Sequence, residues 1–263
     1  MLNFSAIGGP AVSDYAPIVV TAGDRQALMA DLESRLAEGQ GFSLATLNLD
    51  HIVKIRHNLA FRAAYARHSH VTADGNPIVW LCRFAGQKVD LIPGSELIDP
   101  VAGLAARLAV KVAFLGSTED SLQAASAALR ALHPGLEIVA IISPPMGFDP
   151  EGPAADASIE ALRASGASLC FLALGAPKQE LFAARAQAGL PRVGFLSIGA
   201  GLDFLSGSQS RAPLLVRRLA LEWLWRLVSN PRRLTARYAA CFAILPAALR
   251  LARNGRETSG QKV

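Results

Sequence analysis

Asp74 is the carboxylate whose position in the sequence most favours a chemical role. It follows the apolar run HVTA, and the glycine after it leaves room for a ligand. A carboxylate placed there could act as a general base and take a proton from an attacking hydroxyl group, with burial raising its pKa toward the working pH. Asp74 could equally form an Asx turn or cap a helix that begins near Pro77. Asp50, Glu180 and Asp203 are the competing carboxylates.

Polar residues also follow other apolar runs, at places where a strand would lead into a helix. Such junctions direct backbone N–H groups and the N-terminus of a helix at one crevice, where a phosphate can bind. Turns use glycine, aspartate, asparagine and proline for conformational reasons as well, but several polar junctions on one sheet favour a ligand the size of a nucleotide. The junctions are Thr46 with Asn48, Asp74–Pro77, Gly116–Thr118, Gly175–Glu180 and Gly199–Gly201.

Common sequence motifs for cofactors and metals do not occur in the chain. The dinucleotide motif GxGxxG begins at Gly199, but Phe204 stands where its third glycine belongs. The motif GxxxxGK[ST] and an Asp-x-Asp pair are both missing, so we expect neither a P-loop nor that mode of holding a divalent ion. The five histidines show no ligand spacing, and His51 and His57 are expected on a solvated helix face.

The elements that position these residues alternate between short apolar runs and longer stretches with helical periodicity. Nearly continuous apolar runs are typical of strands covered on both faces. The alternation predicts an α/β fold, a Rossmann-like parallel sheet with helices on both faces, whose ligands bind beyond the carboxyl ends of the strands. The predicted strands are Ile18–Val20, Phe42–Leu47, His70–Ala73, Lys111–Leu115, Glu137–Ile142, Ser168–Leu174 and Arg192–Ile198. The predicted helices are Asp24–Glu38, Leu49–Arg67, Thr118–Leu132, Ala154–Ala164 and Pro177–Ala188.

Composition excludes several classes of protein. Of the 263 residues, 51% are hydrophobic and 18% are charged, which excludes a disordered chain and provides for a sizeable core. Cys82, Cys170 and Cys241 lie far apart, so we expect buried free thiols in a reducing compartment rather than disulfides or a zinc site.

Mean hydropathy is high at +0.30, but Pro246 interrupts the apolar run Tyr238–Leu249, which falls short of the ~20 residues of a membrane span. Since the N-terminus lacks a secretory signal, we expect a cytosolic protein, in solution or on a membrane surface.

The C-terminal part of the chain is strongly basic. Residues 211–256 contain ten arginines, no lysine and one acidic residue, a net charge of +9, whereas the rest of the chain carries −4. We therefore predict a Rossmann-like body over residues 1–205 and an arginine-rich helical appendage over residues 206–263. Its helices are expected at Pro213–Ser229 and from Pro231 onward, the second behind an N-cap at Asn230.

The predicted appendage is amphipathic. Arg218, Glu222 and Arg226 recur at i+4 and share one helix face. Such a surface can lie in an anionic lipid interface, or hold a diphosphate, which arginine does in a bidentate manner. It could also pack on the body with a solvated basic face, or pair two subunits. Nucleic acid is not expected as a partner, because the aromatic residues fall on the apolar side and no nucleic-acid motif is present. The apolar stripe consists of Leu215, Leu219, Trp223 and Leu227.

Seven segments in this order resemble the WecG/TagA/CpsF family of glycosyltransferases, glycosyltransferase family 26. The resemblance covers about residues 18–238. It implies a Rossmann-like body with a C-terminal appendage that docks on the inner face of the cytoplasmic membrane. The segments are TLNLDHIVKIRHNLAFR, VTADGNPIVWLCRFAG, PGSELI, FLGST, SPPMGFD, LALGAPKQE and RAPLLVRRLALEWLWRLVSNPRRLTARY.

The resemblance also implies an activity and its participants. The reaction is inverting transfer of a hexose-type sugar, without metal or other cofactor, from a UDP-sugar to an undecaprenyl-diphosphate-linked acceptor in the synthesis of a cell-surface polysaccharide. N-acetylmannosamine, its uronic acid and glucose all occur as donor sugars among relatives. The catalytic group implied for this chain consists of Asp74 as base, with Thr46 and Asn48 lining the pocket. For substrate and nucleotide binding the resemblance implies Gln179, Arg226, Arg233 and Arg237. The strand-to-helix junctions add Gly116 and Lys178 to this predicted binding group.

This chain departs from the family pattern at three positions. Leu91 stands where relatives often carry an arginine, three residues before the glycine of the PGS motif, so one phosphate or acceptor contact is missing or supplied elsewhere. Leu47 replaces a common proline, and Ala220 replaces a common glycine.

Two other functions are weighed against transfer. A nucleotide-sugar epimerase or dehydrogenase would need a nicotinamide cofactor, and the missing dinucleotide motif argues against it. A non-catalytic adaptor at the membrane surface would have no use for Asp74 and Gln179, and their retention argues against that alternative.

Overall fold

The computed structural model describes residues 1–7, 17–205, 207, 213, 216 and 222–260, and the side chains at 204, 222, 226, 233 and 257–260 lie outside that description. Within these ranges six strands form one parallel sheet, in the order β2-β1-β6-β5-β3-β4. The α/β architecture predicted from the alternating pattern is therefore confirmed. The strands are β1 (Phe42–Leu47), β2 (His70–Ala73), β3 (Val112–Gly116), β4 (Ile138–Ile142), β5 (Leu169–Ala173) and β6 (Gly194–Ser197).

Helices connect the strands and cover both faces of the sheet. Because every strand pair is parallel, the carboxyl ends of all six strands meet at one edge. After β3 the chain crosses to β4 on one side, and after β5 it crosses to β6 on the other, which opens a crevice at that edge. The helices of the body are α1 (Arg25–Glu38), α2 (Leu49–His57), α3 (Leu59–Arg67), α4 (Asn76–Phe84), α5 (Ile98–Arg107), α6 (Glu119–Leu132), α7 (Pro153–Ser165), α8 (Lys178–Gly189) and α9 (Gly201–Leu205). They are followed by α10 (Glu222–Ser229) and α11 (Pro231–Gly260), and short 3-10 turns lie at Phe4–Ala6 and Gly94–Glu96.

The core explains why the strand sequences read as continuous apolar runs. Leu44, Phe114, Phe171 and Leu196 are fully buried on one face of the sheet, while alternate residues of the same strands pack under helices on the other. The three cysteines are free and buried, as expected for small apolar side chains.

Two predicted elements differ from the structure. Residues Ile18–Val20 do not form a strand. Instead, the next residues lie along the outer edge of β2, where the amides of Thr21 and Ala22 donate to Val71 O (3.0 and 3.1 Å), and Val71 N donates to Thr21 Oγ1 (2.8 Å). The single helix predicted over Leu49–Arg67 is two helices, because Asn58 ends α2 and its side chain caps α3, accepting from Phe61 N at 2.9 Å.

The C-terminal helix α11 begins as predicted, with Leu234 N donating to Asn230 O at 3.1 Å. The expectation that Pro246 leaves too short an apolar segment was wrong, because the helix continues through this proline. By length and composition, Leu234–Arg256 could cross a membrane. Helices that pack on soluble bodies meet the same criterion, and here one face packs on the body: Ile244, Ala248 and Ala252 are buried in the same cluster as Leu2, Phe4 and Leu81. The division into units at residues 205 and 206 stays a prediction.

Candidate functional site

Asp74 lies directly after β2 and receives two side-chain hydrogen bonds, one from the end of the neighbouring strand β1 and one from the N-cap residue of α2. Asn48 Nδ2 donates to Asp74 Oδ2 at 3.3 Å, and Thr46 Oγ1 donates to the same oxygen at 3.5 Å. The parallel pairing aligns Leu47 with Ala73, which brings the ends of the two strands together. The three residues of the predicted catalytic group therefore form one cluster at the carboxyl edge of the sheet, in which Thr46 is buried and Asn48 and Asp74 are half-buried.

The backbone around Asp74 explains the glycine that follows it. Gly75 occupies the N-cap position of α4 with φ +105°, a conformation that favours glycine, and no side chain caps the helix there. Asp74 is thus not the N-cap residue of this helix. Its own amide donates to Leu47 O at 2.8 Å, which fixes the carboxylate relative to β1.

A buried polar group supports Thr46 from behind. Tyr65 OH donates to Thr46 O, and His51 Nδ1 lies 2.7 Å from both Thr46 O and the Tyr65 hydroxyl. Since a carbonyl only accepts, Nδ1 carries a proton. The expectation that His51 is solvated was wrong: it is 5% exposed, and burial lowers its pKa to about 4, so the ring is neutral at neutral pH. His57 is exposed, as expected.

Gln179 and Glu180 occupy the first turn of α8 and are both buried. Gln179 Oε1 accepts from Gly199 N at 3.0 Å, and Gln179 Nε2 donates to Glu180 Oε1 at 2.9 Å. This pair ties α8 to the loop after β6. Glu180 is fully buried, which raises its pKa to about 7. Its second oxygen, Oε2, has no hydrogen-bond partner among the described residues. Lys178 is half-buried at the start of the same helix.

Gly116 ends β3 on the other side of the crevice. It has φ +113°, and a Cβ atom there would lie 2.5 Å from the carbonyl carbon of Ala173, so only glycine fits. Ser117 and Ser121 donate to Asp203 Oδ1 at 2.5 and 2.9 Å, which joins the β3–α6 loop to α9. Four strand spacings, about 19 Å, separate Gly116 from Asp74, so the two lie far apart along the edge.

Arg237 is the arginine of the predicted appendage set whose side chain is described. Its Nη2 lies 3.0 Å from Asp50 Oδ2, and Lys54 Nζ lies 2.8 Å from the same oxygen. The Arg226 and Arg233 side chains lie outside the described residues, although both positions fall within helices. Leu91, the departure from the family pattern, is half-buried, and its carbonyl accepts from Arg25 Nη2 at 3.0 Å.

The arrangement can hold an extended ligand along the strand ends. Asp74 offers a carboxylate at one end, and the N-termini of α6 and α8 offer positive dipole ends beyond β3 and β5. Among the described residues, no group of three or more His, Cys, Asp or Glu side chains could hold a metal ion.

Two polar residues of the site were missed by sequence reasoning. Tyr65 contacts Thr46 from 19 residues away, and no local signal predicts that contact. Lys54 could have been found, because it stands four residues after Asp50 on a predicted helix, the spacing of an ion pair.

A family model described as the glycosyl transferase WecG/TagA/CpsF family matches residues 14–260. The match covers nearly the whole chain, including every residue of the predicted catalytic and binding groups.

Proposed function

The chain belongs to the WecG/TagA/CpsF family of glycosyltransferases, and from this premise we propose that it is an inverting, metal-independent hexosyltransferase. The donor is a UDP-sugar, carrying N-acetylmannosamine, its uronic acid or glucose. The acceptor is a saccharide linked to undecaprenyl diphosphate, in the synthesis of a cell-surface polysaccharide. The observation that carries the proposal within this family is the Asp74–Asn48–Thr46 cluster at the carboxyl edge of the parallel sheet.

Asp74 acts as the general base in the proposed mechanism. The acceptor hydroxyl attacks the anomeric carbon on the side opposite UDP, its proton passes to the Asp74 carboxylate, and the bond from the anomeric carbon to UDP breaks. Asn48 and Thr46 hold Asp74 Oδ2, which orients the carboxylate at the strand ends. General-base catalysis of this kind contributes about 10²- to 10⁴-fold.

The leaving diphosphate must be stabilised by groups of the protein. Gly116 and the start of α8 form the nucleotide side of the proposed site, where Lys178 provides a cation. Gln179 is buried and holds the loop after β6. Arg226 and Arg233 of the C-terminal helices provide guanidinium groups for the diphosphates, and Arg237, predicted with them, pairs with Asp50 and fixes α11 beside the site. Oriented charges and dipoles in a site that excludes water can contribute several kcal/mol to such a step.

A membrane surface is the proposed location of the reaction, on the cytoplasmic side. Trp223 and Trp225 on α10 are 37% and 41% exposed, and Phe242 on α11 is 50% exposed. Trp223 packs edge-on against Phe242, with ring centroids 5.4 Å apart. Exposed tryptophan and phenylalanine beside a net charge of +9 are typical of helices that lie in an anionic lipid interface.

The decisive experiment replaces the base. Asp74→Asn keeps the size of the side chain and removes its basicity, so transfer should fall at least about 10²-fold while UDP affinity stays within about twofold. Asp99→Asn, an exposed carboxylate that pairs with His133, is the matched control. Transfer by Asp74→Asn at the rate of the native protein would remove Asp74 from its role.

The arginines and the sugar are tested separately. The Arg226→Ala, Arg233→Ala pair should reduce transfer to a lipid acceptor with little change in folding, and the exposed Arg192→Ala is the control. An unchanged rate would refute the role proposed for the C-terminal helices in transfer.

Mass spectrometry of products from a panel of UDP-sugars identifies the donor.

A further inference from the structure

Asp50 is a buried carboxylate placed between two cations that come from different parts of the chain. Its side chain is 11% exposed, and Oδ2 lies 2.8 Å from Lys54 Nζ and 3.0 Å from Arg237 Nη2. Lys54 belongs to the same helix, α2, whereas Arg237 belongs to the C-terminal helix α11. We name these three residues the Asp50 cluster.

Lys54 extends the Asp50 cluster to the nucleotide side of the crevice. Its ammonium group also donates to Ala176 O at 3.1 Å, in the loop between β5 and α8. That loop leads directly into Lys178 and Gln179. One side chain therefore joins α2 to the segment that carries the proposed nucleotide contacts.

The first turn of α2 connects the Asp50 cluster to Asp74, the proposed base. Asn48 caps this turn, with its Oδ1 accepting from His51 N at 3.0 Å, while its Nδ2 donates to Asp74. Asp50 is two residues beyond Asn48 in the same turn. A displacement of this turn would thus move the hydrogen-bond donor that holds Asp74.

We propose that Asp50 is a positioning residue for transfer, which fixes the C-terminal helix, through Arg237, to the helix turn that orients Asp74. The proposal rests on the proposed function, because it assigns the C-terminal helix to the acceptor side of that site. Asp50 is not offered as a substrate contact, since its charge would repel a diphosphate. Without it, Lys54 and Arg237 would present two like charges to each other with no carboxylate between them, and the C-terminal helix would lose its ionic contact with α2.

The first test measures transfer in a double-mutant cycle. Asp50→Asn keeps the shape of the side chain and removes its charge, and should lower kcat/KM for the lipid-linked acceptor about tenfold or more, with UDP affinity changed less than about twofold. Because Asp50 acts through Arg237, the pair Asp50→Asn, Arg237→Gln should fall no further than Arg237→Gln alone. Asp50→Glu, which keeps the charge, should recover part of the loss. Additive losses, or Asp50→Asn at the native rate, would overturn the proposal.

The control removes a similar ion pair elsewhere. Glu33→Gln breaks a contact of 2.9 Å between Glu33 Oε1 and Arg107 Nη2 on the exposed side of α1, and should leave the acceptor parameters unchanged. A loss of the same size in this variant would show that any lost ion pair impairs transfer, and would also count against the proposal.

The second test does not depend on activity. Amide hydrogen exchange of the full chain should be faster in the first half of α11 in Asp50→Asn than in the native protein, by about tenfold, and unchanged in Glu33→Gln. Unchanged exchange in Asp50→Asn would overturn the proposal. If the native protein transfers no sugar to any polyprenyl-diphosphate acceptor, the proposed function fails, while the exchange result still decides whether Asp50 fixes the C-terminal helix.

Discussion

Asn48 makes two hydrogen bonds that serve different ends, and substitutions can separate them. Its Oδ1 caps α2, and its Nδ2 donates to Asp74. Serine at this position keeps a cap but is too short to reach the carboxylate, so Asn48→Ser should reduce kcat while the free energy of unfolding changes little. Asn48→Ala should reduce kcat similarly and also cost about 1 kcal/mol of stability.

Urea unfolding and steady-state kinetics on the two Asn48 variants check this expectation. Equal stability losses in both would show that serine does not cap the helix. Native kcat in both would show that the bond to Asp74 has no part in transfer.

The buried carboxyl group of Glu180 should make the stability of the protein depend on pH. Burial raises its pKa from 4.5 to about 7, so the folded state holds the proton more tightly than the unfolded state. Stability from this group is therefore full below pH 4.5 and is lost as the pH rises to about 7. Glu180→Gln should be more stable than the native protein above that range, by on the order of 3 kcal/mol, and about equal to it in acid.

Urea unfolding at about pH 5 and about pH 8 measures the difference. Glu137→Gln, at an exposed position, is the control and should show no such change with pH. If the difference in the free energy of unfolding between Glu180→Gln and the native protein is the same at both pH values, the buried carboxyl is not the source of a pH dependence.

The positions of individual candidate-site residues were predictable where they lie at or just beyond the end of a strand. Asp74, Thr46 and Asn48 stand at the ends of apolar runs, and the parallel sheet brings those ends together. His51 was wrongly placed because helical periodicity does not reveal that its ring reaches back to Thr46 O. Tyr65 could not be predicted, because its contact depends on how α3 packs against β1.

At the scale of elements, most strands were predicted closely because they are buried on both faces, although β4 is only partly buried. Such runs have no polar face and stand out from helices of period 3.6. The boundary between two consecutive helices is harder to predict from the sequence. Asn58 is both the C-cap of α2 and the N-cap of α3, so one periodic pattern spans two helices. Helix α5 was missed, and residues Ile18–Val20 show that an apolar run next to a sheet edge need not become a strand.

The exposed aromatic residues of helix α4 indicate that the body itself contributes to membrane contact. Trp80 and Phe84 are one turn apart on α4, 57% and 44% exposed, and Arg256 of α11 lies 6.0 Å from the Phe84 ring centroid. Trp80→Ser with Phe84→Ser should therefore weaken binding to vesicles of phosphatidylglycerol and phosphatidylcholine about tenfold, at unchanged thermal stability.

Vesicle co-sedimentation measures this binding, with Leu132→Ser on α6 as the control, because Leu132 is equally exposed at 60%. Weaker self-association with unchanged vesicle binding would instead assign the α4 face to a contact between two subunits.

At the scale of the whole molecule, three buried histidines contribute to the response to acid. One of them is His70, whose pKa is also lowered by burial. Burial lowers the pKa values of His51 and His68 from 6.5 to about 4, so both are neutral in the folded state. The unfolded chain binds these protons first, and stability is lost as the pH falls from 6.5 to about 4. Glu180 opposes the loss in part, since it regains stability over a similar range.

Three histidines lose stability in this range and one glutamate regains it, so the native protein should be less stable at about pH 5 than at about pH 6.5. His68→Gln, which stays neutral, should flatten the dependence, as measured by urea unfolding. A stability that does not fall in acid, or falls as steeply in the variant, would contradict this account.

The C-terminal helix cannot be removed as a neutral test of function. Ile244, Ala248 and Ala252 cover part of the body's core, so truncation before α11 would expose apolar surface and destabilise the fold. Point substitutions at Arg237 and Asp50 are the sharper probes.

The outer edge of β2 is an edge of the sheet, where another chain could pair with it. An unpaired edge strand invites polymerisation with other chains. At Val71, however, the outward amide bonds to the hydroxyl of Thr21, and the outward carbonyl accepts the amides of Thr21 and Ala22. The backbone groups at the middle of this edge are therefore already bonded, and the residues before α1 block the pairing of another chain there.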